Sequence, residues 1–263
     1  SNTILYIVHL RKYWSSYTVL GKEETGGKDM LELHHVEKLF LGDKGIHDIT
    51  ITFQPGEIYG ILGRNGSGKT TLLKCILGLL EVDKGQILLN GKPACEQLQD
   101  IAFASADGSS LPYMKGKEYG QFLAQYYPSF SMEDYLHFLN RFELDAQERI
   151  ASLSKGGKMK IELAAAFAQH AKLILMDEPF TSLDMYAKED CIHAVLEEVM
   201  EERILLISTH DIAEIETIAD GCLVLENGRL AEVFTMDDLH EQGEDLKTRL
   251  AAYRPEKDKE NRE

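Results

Sequence analysis

The sequence predicts an α/β fold: a mostly parallel sheet, an N-terminal antiparallel β subdomain and an inserted helical subdomain. Three observations predict it. Glu57-Ile58-Tyr59-Gly60-Ile61-Leu62 is a short apolar run of strand type that enters a glycine-rich loop, Gly63 to Thr70, and leaves it through the aliphatic helical run Thr71 to Leu80. Leu173-Ile174-Leu175-Met176 and Ile204-Leu205-Leu206-Ile207 are unbroken apolar runs, as strands buried on both faces of a parallel sheet require. Residues 107–153 break the pattern, with aromatic residues at helical spacing and little alternation.

Composition narrows the function classes. The chain has 263 residues and 44% hydrophobic side chains, enough for one large domain or a domain with an insertion. A formal charge of −16 argues against wholesale binding to nucleic acid or anionic lipid, so no nucleic-acid partner is expected. The longest apolar runs are interrupted by charges or glycines before they reach membrane-spanning length, and the protein is expected to be soluble by itself. The four cysteines, Cys75, Cys95, Cys191 and Cys222, form no C-x-x-C pair and read as reduced core thiols.

Taken in order, residues 1–29 read as a leader or non-native extension: Ser1-Asn2 as a cloning remnant, with natural translation starting at Met30. The rival readings are a membrane-apposed arm or a short disordered leader. Leu31, Leu33 and Val36 suggest an opening strand, and Ile49, Ile51 and Phe53 alternate with polar residues as in a half-buried one. Gln54-Pro55-Gly56-Glu57 is a turn. Gly85 to Leu89 reads as a strand closed by the hairpin turn Asn90-Gly91, and Ile101 to Ala104 as another. The aromatic set Phe122, Tyr126, Tyr135, Phe138 and Phe142 is either core or a surface offered to a partner. Met159 to His170 is strongly helical, and a further helix runs from about Thr181–Asp184 to Glu202. Cys222 to Glu226, Asn227-Gly228 and Arg229 to Phe234 read as a closing hairpin. Residues 236–263 read as a charged C-terminal tail, disordered from Arg254 onward.

Gly63-Arg64-Asn65-Gly66-Ser67-Gly68-Lys69-Thr70 matches G-x-x-x-x-G-K-[ST]. Between a strand and a helix, that spacing aims backbone N–H groups and the positive end of a helix dipole at one point, which suits a polyphosphate. Glycines leave no Cβ between backbone and ligand. Lys69 can reach β- and γ-phosphates, and Thr70 can ligate Mg²⁺. The alternative is a structural turn. Asp177 and Glu178 end an aliphatic strand, where open α/β sheets bind ligands. Asp177 can hold Mg²⁺ and Glu178 can polarise an attacking water; the alternative is a solvated acidic loop. Ser154-Lys155-Gly156-Gly157 opens a helix, so it is either an anion site or an ordinary cap. His210 follows a buried strand and is either structural or a phosphate sensor.

Met30 to Phe234, with these motifs in this order, resembles the nucleotide-binding subunit of an ATP-binding cassette (ABC) transporter. The resemblance implies a P-loop NTPase core over residues 30–235, with a helical insertion at about 107–153. It implies that Gly63, Arg64, Asn65, Gly66, Ser67, Gly68, Lys69, Thr70 and Thr71 cradle ATP and that Thr70 and Asp177 hold Mg²⁺. Glu178, with Lys69 and His210, carries the chemistry. Phe40 occupies the place where the family stacks an aromatic ring on adenine, and Ser182-Leu183-Asp184 looks like the D-loop. Leu153-Ser154-Lys155-Gly156-Gly157 looks like the family's signature, Leu-Ser-Gly-Gly-Gln, with Lys155 and Gly157 as departures. In the family, residues at the places of Ser154 and Gly156 bind the γ-phosphate of ATP held by the opposite subunit. Two cassettes, identical or related, would therefore sandwich two nucleotides. The resemblance also implies a separate transmembrane permease, a cytoplasmic location on the inner face of the membrane and, through Lys155, export. The family's usual glutamine after the Ile101–Ala104 strand is missing, with Ala106 or Asp107 in its place. The rival classes are a soluble cassette ATPase in a regulatory or non-transport role, including one working on ribosomes or DNA, and a non-hydrolysing module. The first would carry tandem cassettes, a coiled coil or a basic arm; the second would lose Lys69, Asp177 or Glu178.

Overall fold

The computed structural model describes residues 30–105, 111–198 and 203–253. Strands β1 (Leu31–Phe40), β2 (Lys44–Phe53), β4 (Lys84–Leu89) and β5 (Lys92–Pro93) form an antiparallel sheet in the order β2-β1-β4-β5. The second sheet has six strands. β3 (Ile58–Leu62), β6 (Ile101–Ser105), β7 (Leu173–Asp177), β8 (Ile204–Thr209), β9 (Gly221–Glu226) and β10 (Arg229–Thr235) lie in the order β10-β9-β3-β8-β7-β6. All neighbours in it are parallel except the β9–β10 hairpin. The expected architecture is therefore the observed one.

Sequence explains the order. β3, β7 and β8 are flanked by strands on both sides and buried along their whole length, so only runs such as Leu173–Met176 fill them without burying a polar side chain. Each such aliphatic side chain contributes about 1.5–3 kcal/mol relative to exposure. Asn90-Gly91 and Asn227-Gly228 have positive φ at both residues, 54° and 72° then 48° and 77°, the two-residue turn that matches strand twist.

The helices are α1 (Lys69–Ile76), α2 (Gly116–Leu123), α3 (Met132–Arg141), α4 (Lys155–Ala168), α5 (Met185–Glu198), α6 (Ile212–Glu216), α7 (Met236–Glu241) and α8 (Leu246–Leu250). The aromatic residues of the insertion are largely internal. Tyr135 is fully buried and donates to the Gly116 carbonyl at 3.0 Å, while Phe138 packs on Phe167 of α4 with ring centroids 5.2 Å apart. Tyr113 is the exception, at 86% exposure.

α4 begins at Lys155, where the expected cap lies: Ser154 accepts the Gly157 N–H at 3.0 Å and starts the helix there. Residues 236–253, expected as part of a charged tail, fold into two short helices. The Thr235 and Asp245 side chains cap them, and Met236, Leu239 and Leu246 are buried. The acidic residues expose one face only, so composition hid the apolar contacts. Residues 1–29, Ala106 and Asp107, the stretch 199–202 of the predicted helix and the tail from Arg254 lie outside the described residues.

The four cysteines are free thiols. Burial pushes Cys75, Cys191 and Cys222 up to about 12, whereas Cys95 is only half-buried. The thiolate is the reactive form. A thiol reagent at pH 8 is therefore expected to modify Cys95 first in the native protein and all four in denaturant, as peptide mapping checks; early labelling of Cys191 or Cys222 would contradict this packing.

Candidate active site

The site lies at the C-terminal ends of β3, β7 and β8, three adjacent parallel strands. β3 runs into the loop Gly63–Gly68, and α1 starts at Lys69 with no side chain capping it and no acidic residue in its first turn. Those N–H groups are free for an anion. Gly68 has φ 109°, and a Cβ there would meet Ile46 Cγ2 at 2.9 Å, so the loop can lie against β2 only as glycine.

Lys69 is 6% exposed. Its ammonium donates to the Gly63 carbonyl at 2.8 Å and stands 3.6 Å from Glu178 Oε1. A buried cation held mostly by loop carbonyls sits where phosphate oxygens would complete its partners. Ser67 Oγ is buried with no hydrogen-bond partner, another polar group turned to the loop interior. Arg64, Asn65 and Gly66 form the exposed tip, and Thr71 is half-buried on α1.

β7 and β8 bring the carboxylates in. Parallel register sets Asp177 beside Ser208, which donates to Asp177 Oδ1. Thr70 Oγ1 donates to the same carboxylate, 2.9 Å from Oδ2 and 3.1 Å from Oδ1. Among the described residues no group of three or more His, Cys, Asp or Glu is placed to hold a metal. A hydroxyl and one carboxylate suit Mg²⁺, which takes few protein oxygens and completes its shell with phosphates and water.

Glu178 is the first residue beyond β7, and its φ of 52° is a conformation that non-glycine residues seldom adopt. Its N–H donates to the Ser208 carbonyl at 2.9 Å, which holds the turn. The carboxylate then lies among three groups: Lys69, Thr181 Oγ1 at 3.1 Å and His210 Nδ1 at 2.8 Å from Oε2. Backbone strain held by neighbours is a feature of functional sites.

The remaining predicted residues lie apart from this cluster. Phe40 is 44% exposed at the end of β1, beside the β2 residues that touch the loop. Ser154 is exposed at the start of α4, and its hydroxyl accepts Gly157 N–H rather than anything on the phosphate loop. Gly156 packs on the other motif instead, since a Cβ there would stand 2.9 Å from the Ser182 carbonyl. Asp184 is exposed, and Oδ1 accepts Ala187 N–H at 3.0 Å, a cap for α5.

Sequence reasoning missed Ser208 and Thr181 as partners of the two carboxylates, and also the β9–β10 hairpin as a clamp. Gly228 N–H donates to the Ser67 carbonyl at 3.0 Å, and Gly228 O accepts His47 N–H at 2.8 Å. A glycine turn was legible at that point; its contact with Ser67, 161 positions earlier in the chain, was not.

The model of the family described as "ABC transporter" matches residues 46–181, and that span holds the loop, both strand-end carboxylates and the α4 N-terminus. This chain belongs to the ABC transporter family. Its curated relatives include the ABC transporter ATP-binding protein YtrB of Bacillus subtilis, 32% identical over 81% of this chain and 74% of that protein. The SkfA peptide export ATP-binding protein SkfE of the same organism is 28% identical, covering 82% of this chain and 93% of that one. The Fe(3+) ions import ATP-binding protein FbpC of Pseudomonas fluorescens is 32% identical over 84% and 65%. A solved ATP-binding subunit of an ABC transporter matches with a TM-score of 0.76 at 27% identity, covering 83% of this chain and 97% of that one. The ABC cassette is an ATPase whose nucleotide is ATP with Mg²⁺, and this chain is the ATP-binding subunit of such a transporter. Among the described residues no helix is long and apolar enough to cross a membrane.

Proposed function

We propose that this chain powers an exporter: a pair of cassettes closes on two ATP molecules, and hydrolysis reopens them against a separate transmembrane permease at the inner face of the membrane. The observation that carries the hydrolytic part is the convergence of Lys69, Glu178 and His210 beside Thr70 and Asp177. Lys69 and the loop N–H groups bind and orient the phosphates. Thr70 and Asp177 are the oxygens that would hold Mg²⁺, which when bound neutralises charge on the phosphate oxygens. Glu178 orients the attacking water and accepts its proton, and His210 steadies both Glu178 and the γ-phosphate.

Pairing is supported by the exposure of Ser154 and Lys155 at a helix N-terminus that its own phosphate loop does not use. Facing a second copy, Ser154, Gly156 and Gly157 complete the other nucleotide's shell, and Phe40 stacks on the base. Export rests on Lys155 and on the likeness to a peptide-export relative; the import relatives are the competing reading.

Two measurements test this. With ATP and without Mg²⁺, the chain is expected to shift from monomer to dimer in sedimentation, and Ser154→Arg to remain monomeric; a wild-type chain that stays monomeric would remove the sandwich. Cells lacking the chain are expected to accumulate the cargo internally, and internal depletion would reverse the direction.

A further inference from the structure

Helix α5 and the turn that carries His210 are joined through one buried carboxylate. Glu214 on α6 is 3% exposed; its Oε1 accepts from Lys188 Nζ at 2.6 Å and its Oε2 from Thr209 Oγ1 at 2.8 Å. Thr209 Oγ1 also accepts the Asp211 N–H at 3.0 Å, and Lys188 Nζ lies 3.6 Å from Asp211 Oδ2. Both residues flanking His210 are thus tied to the Lys188–Glu214 pair. At its other end Lys188 sits one helical turn beyond Asp184, to whose carbonyl its N–H donates at 2.8 Å. The hydrogen bond with Glu214 raises the Lys188 ammonium above the ordinary lysine range, so it stays charged throughout neutral pH.

We propose that Lys188 is a positioning residue for hydrolysis, acting through Glu214 and Thr209 to hold His210 where Nδ1 meets Glu178, and so linking that histidine to the Ser182–Asp184 loop. This rests on the roles given to Glu178 and His210 above. The His210 side chain is half exposed, and its ring Nδ1 is hydrogen-bonded to Glu178 Oε2 at 2.8 Å. Its aim therefore depends on the backbone at Thr209 and Asp211. Without the ammonium, Glu214 is a buried carboxylate lacking its cation and must turn toward water or another donor. Thr209 then loses its acceptor, and the turn bearing His210 loses its brace.

The test is steady-state ATP hydrolysis by the full chain, with ATP affinity measured separately by a fluorescent analogue in EDTA. Lys188→Gln is expected to lower kcat by about 10- to 100-fold while changing ATP affinity less than about threefold, the split expected when a catalytic group is displaced but not removed. Lys188→Arg is expected to restore most of the rate. Thr209→Val keeps the ion pair and cuts only the link to the turn, so it should show the same split even if Lys188→Gln impairs folding. In a His210→Ala background Lys188→Gln should cost nothing further, since it acts through the missing ring. An unchanged kcat in Lys188→Gln, no rescue by arginine, or an additive loss in the double variant would each overturn the proposal. If His210→Ala itself leaves kcat unchanged, the reading of the active site fails and takes this inference with it. If His210→Ala is impaired and Lys188→Gln is not, this inference alone fails.

Discussion

Glu178→Gln is expected to slow ATP turnover by about 10²- to 10⁴-fold, the range general-base catalysis contributes, while ATP stays bound. The substitution preserves shape: Thr181 and the Ser208 carbonyl still hold the turn. An amide cannot take a proton from water, so the attacking group is no longer activated. Removing a negative charge 3.6 Å from Lys69 also relieves repulsion with the triphosphate, so the closed, ATP-loaded pair should accumulate. Phosphate release and sedimentation with ATP check both halves. A variant that hydrolyses at the native rate would take Glu178 out of its role.

Lys69→Met is expected to weaken ATP binding by about two to four orders of magnitude, because hydrogen bonds to charged groups are each worth about 1.5–3 kcal/mol and Lys69 can reach two phosphates. Two effects compete. Losing a 6% exposed cation relieves a desolvation cost, so the free chain should unfold at nearly the native temperature. The phosphates, however, lose the one ammonium inside the loop, and Glu178 loses its nearest cation. Titration with a fluorescent ATP analogue measures the change; an affinity within a few-fold of native would show that the loop N–H groups suffice.

Much of this was legible in sequence because it is local. Glycine spacing is read by the backbone it frees, which is why Gly63 to Thr70 identifies a phosphate loop before any coordinates. Aliphatic runs identify β7 and β8 as internal strands, and Asn-Gly pairs mark both two-residue turns. Where sequence reading fell short, polarity averaged over a window misled it. Residues 236–253 look like a tail because exposed acidic residues are interspersed with the apolar ones that pack.

The chain alone determined the parts of the site: a cradle, a lysine, a hydroxyl, two strand-end carboxylates and a histidine, each recognisable by its nearest neighbours in sequence. Only the tertiary structure decided how they meet. Parallel register sets Ser208 beside Asp177, the left-handed turn at Glu178 aims its carboxylate at Lys69 and His210, and Lys188 reaches Glu214 across 26 positions. The physical reason is that such contacts depend on strand pairing and helix packing over long sequence separations, where a shift of one residue would move every side chain to the opposite face.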